Sequence, residues 1–292
     1  MLTWPVATVG WVTSIIQQAE ASQKRINEFL NIVPEIKNDN STTYEFNTDI
    51  EFKNVTFTYP DTNITALKNL SFKIDEGHSF AIIGQTGSGK STILSLISRL
   101  HDVTEGEILI GGKNVKDHNL TLLRNHIGVV PQDPFLFSDT IANNIKFGKS
   151  NATEDDIITA AKNADVHENI IQFKNKYQTV LGERGITLSG GQKQRVSIAR
   201  AIIKSPDILL FDDCLSAVDT ETEENILNNL KSVSKSKTTI IVSHRISSVK
   251  NSETILVLDD GAIIQKGTHN QLISVSGYYQ ELHQKQLSEK EQ

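Results

Sequence analysis

Apolar residues recur at helical spacing near the start of the chain. Val12, Ile15, Ile16, Ala19, Ile26, Phe29 and Leu30 predict one helix, stopped by Pro34. Residues 34–48 are polar and turn-rich and read as a linker. From Ile50 the period changes. Ile50, Phe52, Val55, Phe57 and Tyr59 predict a strand with a slip of register near Asn54. Leu70–Ile74 reads as a second strand, closed by the turn Asp75-Glu76-Gly77. Further short apolar strands are predicted at Ser79–Ile83, Ile108–Ile110, Ile127–Val130, Ile208–Phe211, Thr239–Val242 and Thr254–Leu258. Helical patterns cover Ser91–Leu100, 153–173 and 190–204. Strands that alternate with helices imply an α/β fold with a parallel sheet covered on both faces. The first strands have no helix between them, which predicts a small antiparallel sheet beside the parallel one.

The chain has 292 residues, enough to bury a sizeable core. Its net charge of -6 argues against a general nucleic-acid partner, because phosphate neutralisation needs a basic face. Cys214 is the one cysteine, so neither an intramolecular disulfide nor a cysteine metal cluster is available. The first sixteen residues are rich in Trp4, Val6, Val9, Trp11, Val12, Ile15 and Ile16 and carry no charge before Glu20. Two readings fit: an amphipathic terminus, or the cytoplasmic end of a spanning helix. The run itself is shorter than the roughly 20 apolar residues a span needs.

Gly84-Gln85-Thr86-Gly87-Ser88-Gly89-Lys90-Ser91 follows a predicted strand and opens a predicted helix. This is the phosphate-loop pattern in its required context. Its glycines let successive N–H groups face one oxyanion, and the helix N-terminus adds partial positive charge. Lys90 can reach the β- and γ-phosphates, and the Ser91 hydroxyl can hold Mg2+, with Thr92 next in the chain. Ile208-Leu209-Leu210-Phe211-Asp212 supplies the acidic strand end, so Asp212 is a second candidate for the metal.

Leu188-Ser189-Gly190-Gly191-Gln192 lies between these two motifs. On chemistry alone it is a Ser-capped helix start with exposed N–H groups, suited to an anion or equally to a flexible turn. With the phosphate loop and the acidic strand around it, the sequence closely resembles the nucleotide-binding domain of ABC transporters, whose signature is this string. The resemblance spans nearly the whole chain. It implies a P-loop NTPase with a RecA-like parallel core, a small antiparallel β subdomain and a helical signature subdomain at about 135–200. It also implies that Tyr59 stacks on adenine, that Gln132 touches Mg2+ and senses the membrane domain, and that Ser216-Ala217-Val218-Asp219 crosses to a partner domain. By the same resemblance His244 contacts the γ-phosphate, and Leu188–Gln192 grips the ATP of the partner. Gly182-Glu183-Arg184-Gly185 and the first helix look like those of exporters, and Phe135-Leu136-Phe137-Ser138 falls where a membrane domain would dock.

One position departs from the pattern. The family usually places Glu after the acidic strand as the general base, and this chain has Asp213. Asp213 is then either a weaker base in a self-pairing domain or the mark of the degenerate half of a heterodimer. The resulting expectations are these. Residues 1–33 are the end of the last transmembrane helix and its extension, 49–286 the nucleotide-binding domain, and 287–292 a tail. The partners are a second nucleotide-binding domain and the transmembrane domain of the same transporter, with the domain on the cytoplasmic face of the plasma (inner) membrane. ATP hydrolysis would drive export. Two alternatives stay open: a soluble ABC ATPase, and a nucleotide-gated interaction module with little turnover.

Overall fold

The chain divides into two units, Met1–Lys37 and Asn38–Gln292. A computed structural model describes residues 3–38, 46–185, 188–215, 220–233 and 237–290. The first unit is built on α1 (Thr3–Leu30), none of whose residues is buried; Trp4 is 80% exposed. Among the described residues no helix is long and apolar enough to cross a membrane.

In the second unit the elements run β1 (Ile50–Thr58), β2 (Thr65–Ile74), β3 (Ser79–Gly84), α2 (Lys90–Ile97), β4 (Glu105–Ile110), β5 (Lys113–Asn114), α3 (Leu120–His126) and β6 (Ile127–Val130). Then come α4 (Ile141–Lys146), α5 (Glu154–Asn163), α6 (His167–Ile171), α7 (Gly190–Ile202), β7 (Ile208–Asp212) and α8 (Thr220–Val233). The chain continues with β8 (Thr238–Val242), α9 (Ile246–Val249), β9 (Thr254–Asp259), β10 (Ala262–Gly267), α10 (His269–Ile273) and α11 (Tyr278–Lys290).

Two sheets result. The smaller has the order β2-β1-β4-β5 and is antiparallel. The larger has the order β10-β9-β3-β8-β7-β6 and is parallel except at its β10 edge. Both faces of β3 are buried, which is why its sequence is a continuous apolar run rather than an alternating one. Phe80 and Ile82 join a core with Phe52, Phe57 and Phe72 of the small sheet, whereas Ala81 and Ile83 join one with Ile246, Leu272 and Tyr279. Phe72 stacks on Phe52 at 4.4 Å and on Phe80 at 5.3 Å, so aromatic rings bridge the two sheets. A third core, including Leu136, Ile145, Ile157, Val166 and Ile198, holds α4 to α7 together.

The expected slip in the first strand is present: register shifts between Phe52 and Val55, and Asn54 has φ 49°. The helical pattern at 153–173 is two helices, not one. Asp165 has φ 53°, its N–H bonds to Lys162 O at 3.0 Å, and the Val166 N–H bonds to Ala161 O at 2.9 Å. This is a Schellman end with Asp in the place glycine usually takes, a stop the apolar period does not reveal. The hairpin strand β10 and the last two helices also add to the predicted elements, and α11 runs to Lys290.

Candidate functional site

Several separate stretches of chain meet at one end of the parallel sheet. The strands β3, β6, β7 and β8 all finish there, and the residues just beyond them line a cleft of about 420 Å³. In open parallel sheets this is the end that binds ligands. Thr86, Gly87 and Gly89 come from the β3–α2 loop, Lys90, Ser91 and Thr92 from the first turn of α2, Gln132 from beyond β6, Asp212 from the end of β7 and Asp213 just past it, His244 from beyond β8, and Tyr59 from beyond β1.

The loop is shaped by close approach. A Cβ on Gly84 would lie 2.1 Å from the Leu258 carbonyl oxygen, and one on Gly89, whose φ is +94°, would lie 2.4 Å from that of Ala66. No side chain fits at either position. Gly84, Gln85 and Ser88 do not line the cleft with their side chains but anchor Lys90. Lys90 is 6% exposed, and its ammonium donates to Gly84 O at 3.0 Å and Gln85 O at 2.6 Å, with Ser88 Oγ at 3.5 Å. Burial pushes the Lys90 pKa down, against the pull of Asp213 and Asp212.

Ser91 Oγ donates to Asp212 Oδ1 at 2.9 Å. Burial raises the Asp212 carboxyl above its ordinary range and neighbouring Asp213 adds to this, while the Ser91 hydroxyl and Lys90 oppose it. Asp213 is 7% exposed and has φ 42°, a left-handed conformation that Asp tolerates better than most residues. Its N–H bonds to Val242 O at 2.8 Å, and its Oδ1 lies 3.4 Å from both Ser243 Oγ and the His244 N–H. The carboxylate thus faces the turn that carries His244. Burial, followed by the charge of Lys90, lowers the His244 pKa, with the two carboxylates and a Gly84 hydrogen bond working the other way. The lowered pKa favours the neutral ring, which can donate one N–H.

Tyr59 is half-buried at the cleft's edge, its ring against Phe57 at 4.8 Å and its hydroxyl 3.0 Å from Thr92 Oγ1. The signature residues behave differently. Ser189 caps α7, accepting the Gln192 N–H at 3.3 Å while Gln192 Oε1 accepts the Ser189 N–H at 3.0 Å. Leu188 is buried, Ser189 and Gly190 are exposed, Gly191 and Gln192 are partly so, and none of these five lines the cleft. Ser216, Ala217, Val218 and Asp219 lie outside the described residues.

Sequence patterns leave out several contributors. Asp260 and Gly261 line the cleft, although their string reads only as a turn. Gln194 is buried and donates to the Gln132 carbonyl, tying α7 to the β6 side of the cleft. Nothing in a helical Gln signals this.

The sequence matches the family model described as ABC transporter over residues 67–216. The chain belongs to the ABC transporter family. Among its ABC relatives, it is 43% identical over 284 residues to the uncharacterized ABC transporter ATP-binding protein YknU of Bacillus subtilis, covering 97% of this chain and 48% of that protein. It is 41% identical over 289 residues to the multidrug resistance-like ATP-binding protein MdlA of Escherichia coli, covering 99% of this chain and 49% of that one. A solved structure of a bacterial Atm1-family ABC exporter with ATP bound matches with a TM-score of 0.89 at 39% identity, over 97% of this chain and 50% of that chain. The chain therefore spans about half the length of these ABC proteins.

Proposed function

We propose that this chain binds ATP with Mg2+ in the cleft, closes on a second nucleotide-binding domain, and hydrolyses the nucleotide to power export by an ABC exporter. The observation that carries this reading is the convergence of Lys90, Ser91, Gln132, Asp212, Asp213 and His244 on one cleft, together with a signature that stands outside it. On this reading the domain works on the cytoplasmic face of the plasma membrane, joined to a transmembrane domain.

The chain's own groups have distinct tasks. The loop N–H groups and Lys90 would hold the β- and γ-phosphates. Tyr59 offers a ring face to adenine. Asp213 would accept a proton from the attacking water as its oxygen bonds to the γ-phosphorus and the bond to the β-phosphate oxygen breaks, leaving ADP and phosphate. The neutral His244 ring would donate to a γ-phosphate oxygen. The Ser91 hydroxyl, the Asp212 carboxylate and the Gln132 amide are hard oxygen donors that suit Mg2+ sharing its shell with water and phosphate. A cation there also offsets the crowding of Asp212 against Asp213. When bound, Mg2+ would neutralise charge on the phosphates.

A second reading is favoured by one feature. Asp213 is one methylene shorter than Glu, and misplacement of about 1 Å costs on the order of 10²-fold in rate. The cleft would then turn over slowly, and the signature would serve a more competent partner. The test is direct. ATP turnover and ATP-dependent pairing are measured on the purified chain, alone and with candidate partner chains. Absence of ATP binding removes both readings, and pairing without turnover selects the second.

A further inference from the structure

The turn that carries His244 is held from three sides, and one anchor comes from the far end of the chain. Asp213 faces Ser243 and the His244 N–H, as described above. Glu223 of α8 is 2% exposed and accepts from Ser247 Oγ at 3.2 Å, from Ser248 Oγ and from Arg245 at 3.3 Å. The third anchor is Gln286 of α11. Its Nε2 donates to the His244 carbonyl at 2.7 Å, and its Oε1 accepts the Ile246 N–H at 2.9 Å. A single side-chain amide thus clamps the two peptide groups on either side of Arg245.

We infer that Gln286 is a positioning residue for His244, acting through the backbone of the turn. The inference rests on the hydrolytic reading above. Its physical basis is leverage. Gln286 fixes the carbonyl of His244 itself, so a tilt of that peptide swings the imidazole at the cleft. A shift of about 1 Å in a group that touches the reacting phosphate lowers the rate by as much as about 10²-fold. Docking of α11 does not depend on Gln286. Tyr279 is fully buried in the core under the helix, its hydroxyl 2.8 Å from His269 Nδ1, and Leu282 packs against the same core.

The experiment compares Gln286→Ala and Gln286→Met with Gln280→Ala in the full chain. Met keeps the packing volume and loses both hydrogen bonds. Gln280 lies on the same helix but donates to Ile273 O, away from the turn. In both Gln286 variants kcat for ATP falls about ten- to a hundredfold, while KM stays within about twofold and the melting temperature stays near the parent's. Gln280→Ala keeps the parent kcat. A second readout needs no turnover: the His244 ring resonances shift on adding a non-hydrolysable ATP analogue, and the Gln286 variants lose at least about half of that shift. Parent-like kcat and shift in Gln286→Met, or an equal loss in Gln280→Ala, overturns the inference. A parent chain whose His244 responds to the analogue without turnover counts against the hydrolytic reading alone.

Discussion

On the proposed reading the cleft and the signature both bind anions, yet they are finished to different degrees. In the cleft every charged group has an internal partner: Lys90 holds two carbonyls, Asp212 holds Ser91, and Asp213 faces the His244 turn. At the signature, among the described residues, Ser189 bonds within its own helix and stands exposed. The first region is a half-site that ligand can occupy within one chain. On that reading the second is a half-site presented outwards: Ser189 is exposed and, among the described residues, the signature does not line the cleft. The difference teaches that one chain carries two unlike halves, and that affinity should belong to the first and closure to the second.

Lys90→Ala should separate them most sharply. Removing the ammonium from the phosphate cradle should weaken ATP binding by about 100-fold or more, since charge-assisted bonds of about 1.5–3 kcal/mol each are lost. Titration with a fluorescent ATP analogue measures this; unchanged affinity would break the comparison at its root. Ser189→Ala should do the converse. Affinity of a single chain for ATP stays within about twofold, while ATP-dependent pairing and turnover drop about tenfold, and loss of the cap costs about 1 kcal/mol of stability. Sedimentation with and without ATP reads the pairing.

Smaller effects concern the base and the switch. Asp213→Glu should raise turnover up to about tenfold if reach is the defect. It should also cost about 1 kcal/mol, because Glu sits less well than Asp at positive φ. A stable variant with no gain, tested beside its partner chain, removes reach as the explanation. Last, His244 should titrate below its ordinary value of 6.5. Between the lowered and the ordinary value the unfolded chain binds this proton and the folded chain does not. Stability from this group is therefore full above about pH 6.5 and declines as the pH falls below it. An NMR titration of the ring with a midpoint at or above 6.5 would contradict the burial argument.

Much of this was legible in the chain, for physical reasons that differ by region. Buried parallel strands such as Ile127–Val130 and Ile208–Phe211 are short apolar runs, so the structure finds them at nearly the expected residues. The phosphate loop and Asp212 were legible because phosphate chemistry demands those residue types at those spacings. The break at Asp165 was not, since its stop is a backbone conformation rather than a change of period. Nor were Gln194, Glu223 and Gln286: buried polar residues on helices carry no local sign of which distant backbone group they will meet. The signature was readable by resemblance, and its isolation from the cleft required three dimensions.

The close approach of Gly89 to the Ala66 carbonyl has a consequence for selectivity. It locks the small sheet to the phosphate cradle, and the hydroxyl contact between Tyr59 and Thr92 pins the aromatic ring to the same helix. These contacts tie ring and cradle to each other, so the protein sets their spacing. On the proposed reading that spacing would work as a gauge, measuring a nucleotide from base to terminal phosphate, so that one too short would reach only one end of it.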